Sequence, residues 1–250
     1  MMRYIDAYID DIIIATKTQE MHEKILDEVF KELDENGLLI SVPKLKLGEI
    51  TLEHLGYEIT YNTYKLSQHK IEAIRNWAVP KSSHEFSQFV GFINYLKRFI
   101  PDCSITTASI YELISKHKDG NKFSKKPIGD IPQKVLEDVE KLKQQVHSIT
   151  SLQIFQPDKP IVIFTDASLT GVGGIIFQRS ESMNKGVPIA FISKKFNPTQ
   201  QRYSTLEREL LGMITCLSQN YLLINNDITI YTDHQALLSI NNKSNQLNIV

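Results

Sequence analysis

Ile161-Val162-Ile163-Phe164-Thr165-Asp166 and Ile228-Thr229-Ile230-Tyr231-Thr232-Asp233 end in the same way. Each is a run of β-branched and aromatic residues that reads as a buried strand and delivers one aspartate. If the two strands lie side by side and parallel, Asp166 and Asp233 meet at the carboxyl edge of a sheet, where open α/β sheets place their ligands. Gly171 to Gln178 and Pro188 to Ser193 read as two further strands, and a helix precedes the last one. Three strands, a helix and a strand is an α/β order.

That helix supplies a third acid. Ser204 and Glu207 form a capping box, and Leu206, Leu210, Met213 and Leu217 form the apolar stripe. At about 100° per residue Glu209 falls about 60° from Leu206, whereas Glu207 and Arg208 point away. Glu209 is therefore the inward candidate. Three carboxylates brought together repel one another unless they hold a proton or share cations, and an all-oxygen donor set suits Mg²⁺ or Mn²⁺. Two such ions about 4 Å apart would support in-line phosphodiester displacement. Any one strand-terminal Asp alone is more commonly a turn or cap residue; the ordered set of three is what argues for a site. Gly173-Gly174 fits a close approach by substrate or a neighbouring strand, and a simple bulge explains it equally well.

Working towards the N-terminus, residues 117–132 mix Gly, Pro, Lys and Asp without periodicity and read as a linker. A helix with Val135, Val139, Leu142 and Val146 follows, and a domain boundary is expected near 150. Before the linker come two helices separated by Pro80: one from Ser67 with Ile71, Ile74 and Trp77, and one opened by Ser82-Ser83-His84-Glu85 with Phe86, Phe89, Val90 and Ile93 on one face. Thr18 is a plausible N-cap for a helix with Met21, Ile25, Val29 and Leu33 that stops at Asn36-Gly37. Thr51 to Leu55 and Tyr57 to Tyr61 suggest a second small sheet element, which completes a β-α-β-β unit. The chain opens as a hairpin, Tyr4 to Ile9 and Ile12 to Ile14, with Asp10 and Asp11 at its tip. By itself that tip is a polar turn.

The chain has 250 residues, room for two cores, and no apolar run near the ~18 residues of a membrane span. No membrane partner is expected, and the acidic start lacks a secretory signal, which suggests a cytoplasmic or nuclear protein. Cys103 and Cys216 stand far apart, outside any zinc spacing, and read as core or surface thiols. The net charge of −1 conceals a gradient: residues 1–40 carry four Lys/Arg against ten Asp/Glu, whereas 41–100 and 115–145 each carry eight against five. A mildly basic middle suits phosphates, although solvated helix faces explain it as well.

In sequence order, Tyr8-Ile9-Asp10-Asp11 with Ile12-Ile13-Ile14-Ala15 resembles the active-site hairpin of reverse transcriptases, and the remainder resembles the Pol polyprotein of gypsy-class LTR retrotransposons. Leu55-Gly56-Tyr57-Glu58-Ile59 is similar to the family's primer-gripping hairpin, without its usual histidine. Lys70 to Pro80 and Phe89 to Ile100 resemble its thumb. Thr165-Asp166-Ala167-Ser168, Tyr203 to Leu211 and Thr232-Asp233-His234 resemble its RNase H blocks. The resemblance implies a fold class of α/β: an α+β palm and thumb followed by an RNase H-like mixed sheet with helices, truncated at its C-terminus. It implies palm over 1–66, thumb over 67–116, connection with one helix over 117–150, and RNase H over 151–250.

The implied activities are RNA-directed DNA polymerase and ribonuclease H. Asp10 would be a polymerase metal ligand with Asp11 its neighbour, and Asp166, Glu209 and Asp233 the RNase H ligands, with Mg²⁺ or Mn²⁺ as cofactor. Lys97 and Arg98 would be phosphate contacts, and His234 a capping, packing or proton-transfer residue. The implied partners are an RNA–DNA hybrid or primer–template, deoxynucleotides if fingers are supplied, and the protease and integrase segments of a parent polyprotein, which would assemble in a virus-like particle. The family also uses a palm aspartate and fingers earlier than Tyr4, and a fourth RNase H acid later than Val250. Polymerisation by this chain alone is thus expected to be absent and hydrolysis impaired. Two other readings stand beside this one: a non-catalytic nucleic-acid binder or degenerate relic, and an ordinary α/β metabolic enzyme, the latter disfavoured because no Gly-rich phosphate loop follows the strands.

Overall fold

The structure, a computed structural model, describes residues 4–120, 122–149, 151–157, 159–179, 188–218 and 226–238, and the backbone of 247–249. The chain divides into two units, Met1–Glu49 and Ile50–Val250.

In the first unit, β1 (Ile5–Tyr8) and β2 (Asp11–Ile14) pair antiparallel, with Tyr8 opposite Asp11. The turn is thus Ile9-Asp10, and Asp11 already belongs to the strand. Ile9 has φ 58°, a left-handed conformation that a β-branched residue rarely adopts. Helix α1 (Gln19–Glu35) starts where Thr18 Oγ1 accepts from the Met21 N–H and ends at Asn36, with Gly37 at φ 68°. Of its apolar stripe, Ile25 alone is buried.

The second unit begins with β3 (Leu52–His54), β4 (Tyr57–Ile59) and β5 (Thr63–Leu66), then α2 (Gln68–Arg75) and α3 (Ser83–Tyr95). Ser82 Oγ accepts from the Glu85 N–H, while Glu85 Oε2 takes the Lys81 N–H at 2.8 Å, so the capping box closes one residue early. A 3₁₀ turn at Lys97–Phe99 leads to α4 (Cys103–Thr106) and α5 (Ala108–Lys116). β6 (Lys118–Asp119) and β7 (Lys122–Phe123) form a short hairpin, followed by α6 (Gln133–His147) and β8 (Leu152–Gln153).

The segment expected as a linker is tied down instead. Ser83 Oγ donates to the carbonyls of His117 and Ser124 and accepts from the Ser124 N–H, and Ile128 is buried. Val135, Val139, Leu142 and Val146 of α6 share one core with Phe86, Phe89 and Ile93 of α3 and Ile110 and Ile114 of α5. A fully buried aliphatic or aromatic side chain contributes about 1.5–3 kcal/mol, so α6 is integral to the helical core. The expected boundary at residue 150 lies outside the described residues. The expected second small sheet element is present and larger than expected: β3, β4, β5 and β8 make an antiparallel sheet of their own.

The last elements are β9 (Ile161–Ala167), β10 (Gly171–Gln178), β11 (Pro188–Lys195), α7 (Thr205–Ser218), β12 (Ile228–Tyr231) and β13 (Leu247–Ile249). The sheet order is β11-β10-β9-β12-β13, antiparallel from β11 to β9 and parallel from β9 to β13. Its core holds Ile161, Ile163, Ile176, Met213, Cys216 and Ile230. Both cysteines are free and buried, and burial pushes each thiol up to about 11. The α/β class is thereby established, as a helical layer with a small antiparallel sheet followed by a mixed sheet carrying a helix.

Candidate metal centre and nucleic-acid interface

β9 and β12 run parallel in register from Ile161 opposite Ile228 to Phe164 opposite Tyr231. Asp166 and Asp233 each stand two residues past that last pair, so equal strand lengths bring them to one edge. Glu209 reaches the same edge from α7. Ligand oxygens of Asp166, Glu209 and Asp233 lie within 4.8 Å of one another. The aspartates are exposed, whereas Glu209 is only 3% exposed.

Gly212, one turn after Glu209, sets how closely α7 approaches the sheet. A Cβ there would lie 2.9 Å from Val172 Cγ2 and 3.1 Å from Thr165 Oγ1. A Cβ at Gly174 would lie 2.6 Å from Cys216 Sγ. Gly174 thus admits α7, and the same Cβ would lie 3.2 Å from the Phe164 carbonyl of β9, the close strand approach expected of Gly173-Gly174. The irregularity in the register falls at Ile176/Phe177 instead. The buried face of α7 is Glu209, Gly212, Met213 and Cys216; Leu206, expected in the apolar stripe, is 39% exposed.

Glu209 Oε1 accepts the Ala167 N–H at 3.2 Å, and Oε2 is buried with no hydrogen-bond partner. Burial raises the Glu209 pKa, the Ala167 amide opposes the shift, the Asp233 and Asp166 charges add to it, and His234 lowers it. A buried carboxylate with one orphaned oxygen facing two more acids is a donor set that an oxygen-seeking divalent cation would complete. His234 donates its backbone N–H to Thr232 Oγ1 at 3.2 Å, and its Nδ1 is buried without a partner.

Asp10 and Asp11 are exposed in the first unit, and among the described residues no third ligating side chain joins them. Arg98 stands near Tyr64, whose hydroxyl is raised by burial and pulled back by the guanidinium charge. Lys97 lines an open groove of about 540 Å³ with Asn94, Tyr111, Glu112, Lys194 and Lys195. The groove joins helix to sheet: Ser104 Oγ donates to the Ser193 carbonyl at 2.7 Å, and Ser193 Oγ accepts the Ser104 N–H at 3.0 Å. Asp102 packs beside the cluster's sheet edge, its Oδ1 2.9 Å from a Cβ built on Gly173, the cross-strand partner of Asp166. Its backbone is left-handed, φ 51°, which no periodicity discloses.

Residues 2–59 match the family "Reverse transcriptase (RNA-dependent DNA polymerase)", and residues 133–230 match "RNase H-like domain found in reverse transcriptase". Among solved structures, the foamy viral protease-reverse transcriptase in complex with RNA/DNA hybrid aligns at TM-score 0.75 and 27% identity over 94% of this chain and 31% of that one. The protease-reverse transcriptase dRH of the same source in complex with double-stranded DNA has TM-score 0.79 at 24% identity, over 98% of this chain and 45% of that one, a likeness of fold. Fold and matches define a reverse transcriptase segment followed by an RNase H-like domain.

The relatives narrow the class. The Pol polyprotein of transposon gypsy from Drosophila melanogaster is 30% identical over 92% of this chain, that of transposon opus 31% over 92%, and the transposon Tf2-3 polyprotein of Schizosaccharomyces pombe 29% over 96%. The chain belongs to the Pol polyproteins of gypsy-class LTR retrotransposons. It spans 18% to 23% of the length of these relatives.

Proposed function

We propose that the chain is a retroelement reverse transcriptase and ribonuclease H segment that binds RNA–DNA hybrids and cleaves the RNA strand, at an impaired rate on its own, through Asp166, Glu209 and Asp233. The observation that carries this reading is the cluster itself: three carboxylates within 4.8 Å, one of them 3% exposed with an unpartnered oxygen. Mg²⁺ or Mn²⁺ held there would supply an activated water and a counter-charge for the leaving oxygen. The chain's own part is geometric. β9 and β12 hold Asp166 and Asp233 on a rigid edge, and the Ala167 amide fixes Glu209 with its second oxygen turned inward. The solved relative in complex with RNA/DNA hybrid supports that class of substrate.

In this reading 1–66 is palm, 67–116 thumb, 117–150 connection and 151–250 RNase H. Asp10 serves as a polymerase ligand beside Asp11, Lys97 and Arg98 contact phosphates from the 3₁₀ turn that follows α3, and deoxynucleotide addition draws on other Pol segments. No helix among the described residues is long and apolar enough to cross a membrane; we place the protein in the cytoplasm or nucleus, within particles of its parent element, alongside protease and integrase segments.

The test is Mg²⁺-dependent cleavage of the RNA strand of a hybrid by the chain, compared with Asp166→Asn and Glu209→Gln. Loss of cleavage in both variants is expected, and equal cleavage by all three overturns the assignment. The second reading is hybrid binding without turnover, which the mildly basic middle of the chain supports, with eight Lys/Arg against five Asp/Glu over residues 41–100. That reading expects hybrid affinity to fall steeply with salt, as counterions are released on phosphate contact.

A further inference from the structure

The turn joining β3 to β4 has both central residues left-handed, Leu55 at φ 51° and Gly56 at φ 75°. This is the tight hairpin geometry that glycine tolerates and a branched side chain resists. The leucine carbonyl is held twice: it accepts from Lys70 Nζ at 2.8 Å and from the Tyr95 hydroxyl at 3.2 Å. Lys70 Nζ also lies 3.1 Å from the Tyr95 hydroxyl, 4.3 Å from the Tyr95 ring centre and 5.1 Å from that of Tyr57. Its stem crosses the face of Gly56 so closely that a Cβ there would fall 2.0 Å from Lys70 Cε. Tyr57 in turn stacks on Phe99. One ammonium from α2 therefore joins the turn to α3, with Leu55 at the tip 40% exposed.

A lysine in a basic segment is ordinarily counted as a phosphate contact. Here two of its three donors go to a carbonyl and a hydroxyl, and its charge lies over two aromatic rings. We propose that Lys70 is a positioning residue that locks the Leu55-Gly56 turn onto α3, so that the turn and the Tyr95 edge meet nucleic acid as one rigid surface. The second half of this statement rests on the hybrid-binding reading above; the lock itself does not.

Two measurements on the full chain separate them. Lys70→Met keeps the stem and removes the donors, and Tyr95→Phe keeps the ring and removes the hydroxyl. In the free protein, amide exchange across 54–57 is expected to speed about tenfold in Lys70→Met and less in Tyr95→Phe, with α6 unchanged. Unchanged exchange in both variants overturns the lock.

Hybrid binding, followed by fluorescence anisotropy at several salt concentrations, is expected to weaken several-fold in Lys70→Met with the salt slope unaltered. A slope shallower by about 0.9 identifies Lys70 as a direct phosphate contact and overturns the proposal. A wild-type chain that binds no hybrid refutes the nucleic-acid reading, while the exchange result still decides the lock.

Discussion

At the scale of single residues, Glu209 shows what a carboxylate cluster costs the fold. Its pKa is raised chiefly by burial, partly offset by the Ala167 amide and increased by Asp233 and Asp166. At low pH the folded and unfolded chains both keep the proton. As pH rises through the carboxylate range the unfolded chain releases it first, so the folded chain binds more protons and stability falls. The loss is complete above the raised pKa and persists at neutral pH. Glu209→Gln keeps an acceptor for the Ala167 N–H and removes the charge. In a chelator, thermal melts should place this variant a few degrees above wild type at pH 7 and level with it near pH 3. A lower midpoint for the variant at pH 7 would mean that the Glu209 charge stabilises the fold. Asp166 and Asp233 were legible because each closes a β-branched run, and Glu209 because it borders a helical stripe. Asp102 was not legible, since its place beside Gly173 follows from packing between segments 71 residues apart in sequence.

At the scale of elements, glycines decide which face of a helix is buried. The expected stripe of α7 holds at three of four positions: Met213 is buried and Leu210 and Leu217 pack against the core, while Gly212 and Cys216 let the helix settle deepest against β9 and β10 and leave Leu206 39% exposed. Gly212→Ala should therefore lose about 1–3 kcal/mol to overpacking against Val172 and Thr165, more than the ~1 kcal/mol a helix gains from alanine. Gly91 in α3 has open space around it, and Gly91→Ala should gain up to about 1 kcal/mol. Urea unfolding of the two variants checks the contrast, and equal effects would contradict the packing account. The capping boxes, α1, α3 and α6 were readable from local signals. The strands β6, β7 and β8 were not, because each is two residues long and defined by its partner: β8 exists through Thr63 and Tyr64 of β5.

At the scale of the molecule, the order of motifs disclosed the family, and the apportioning of cores did not follow composition. The described residues of 117–132 lack periodicity because they form a short hairpin and a loop tied to the start of α3, held by Ser83 and by the burial of Ile128. Residues 50–250 form one unit containing both hydrophobic clusters, while among the described residues of 1–49 Ile25 alone is buried. Residues 50–250 made alone should consequently melt within a few degrees of the whole chain by circular dichroism; a loss of the cooperative transition would show that the first unit supports the second. The central claim is that Asp166, Glu209 and Asp233 form one divalent-cation site, and calorimetric titration with Mn²⁺ or Mg²⁺ tests it most directly. The wild-type chain should bind, with Asp166→Asn and Asp233→Asn each abolishing the binding and Asp10→Asn leaving it intact. Binding unchanged by the first two substitutions, or lost with the third, would contradict it.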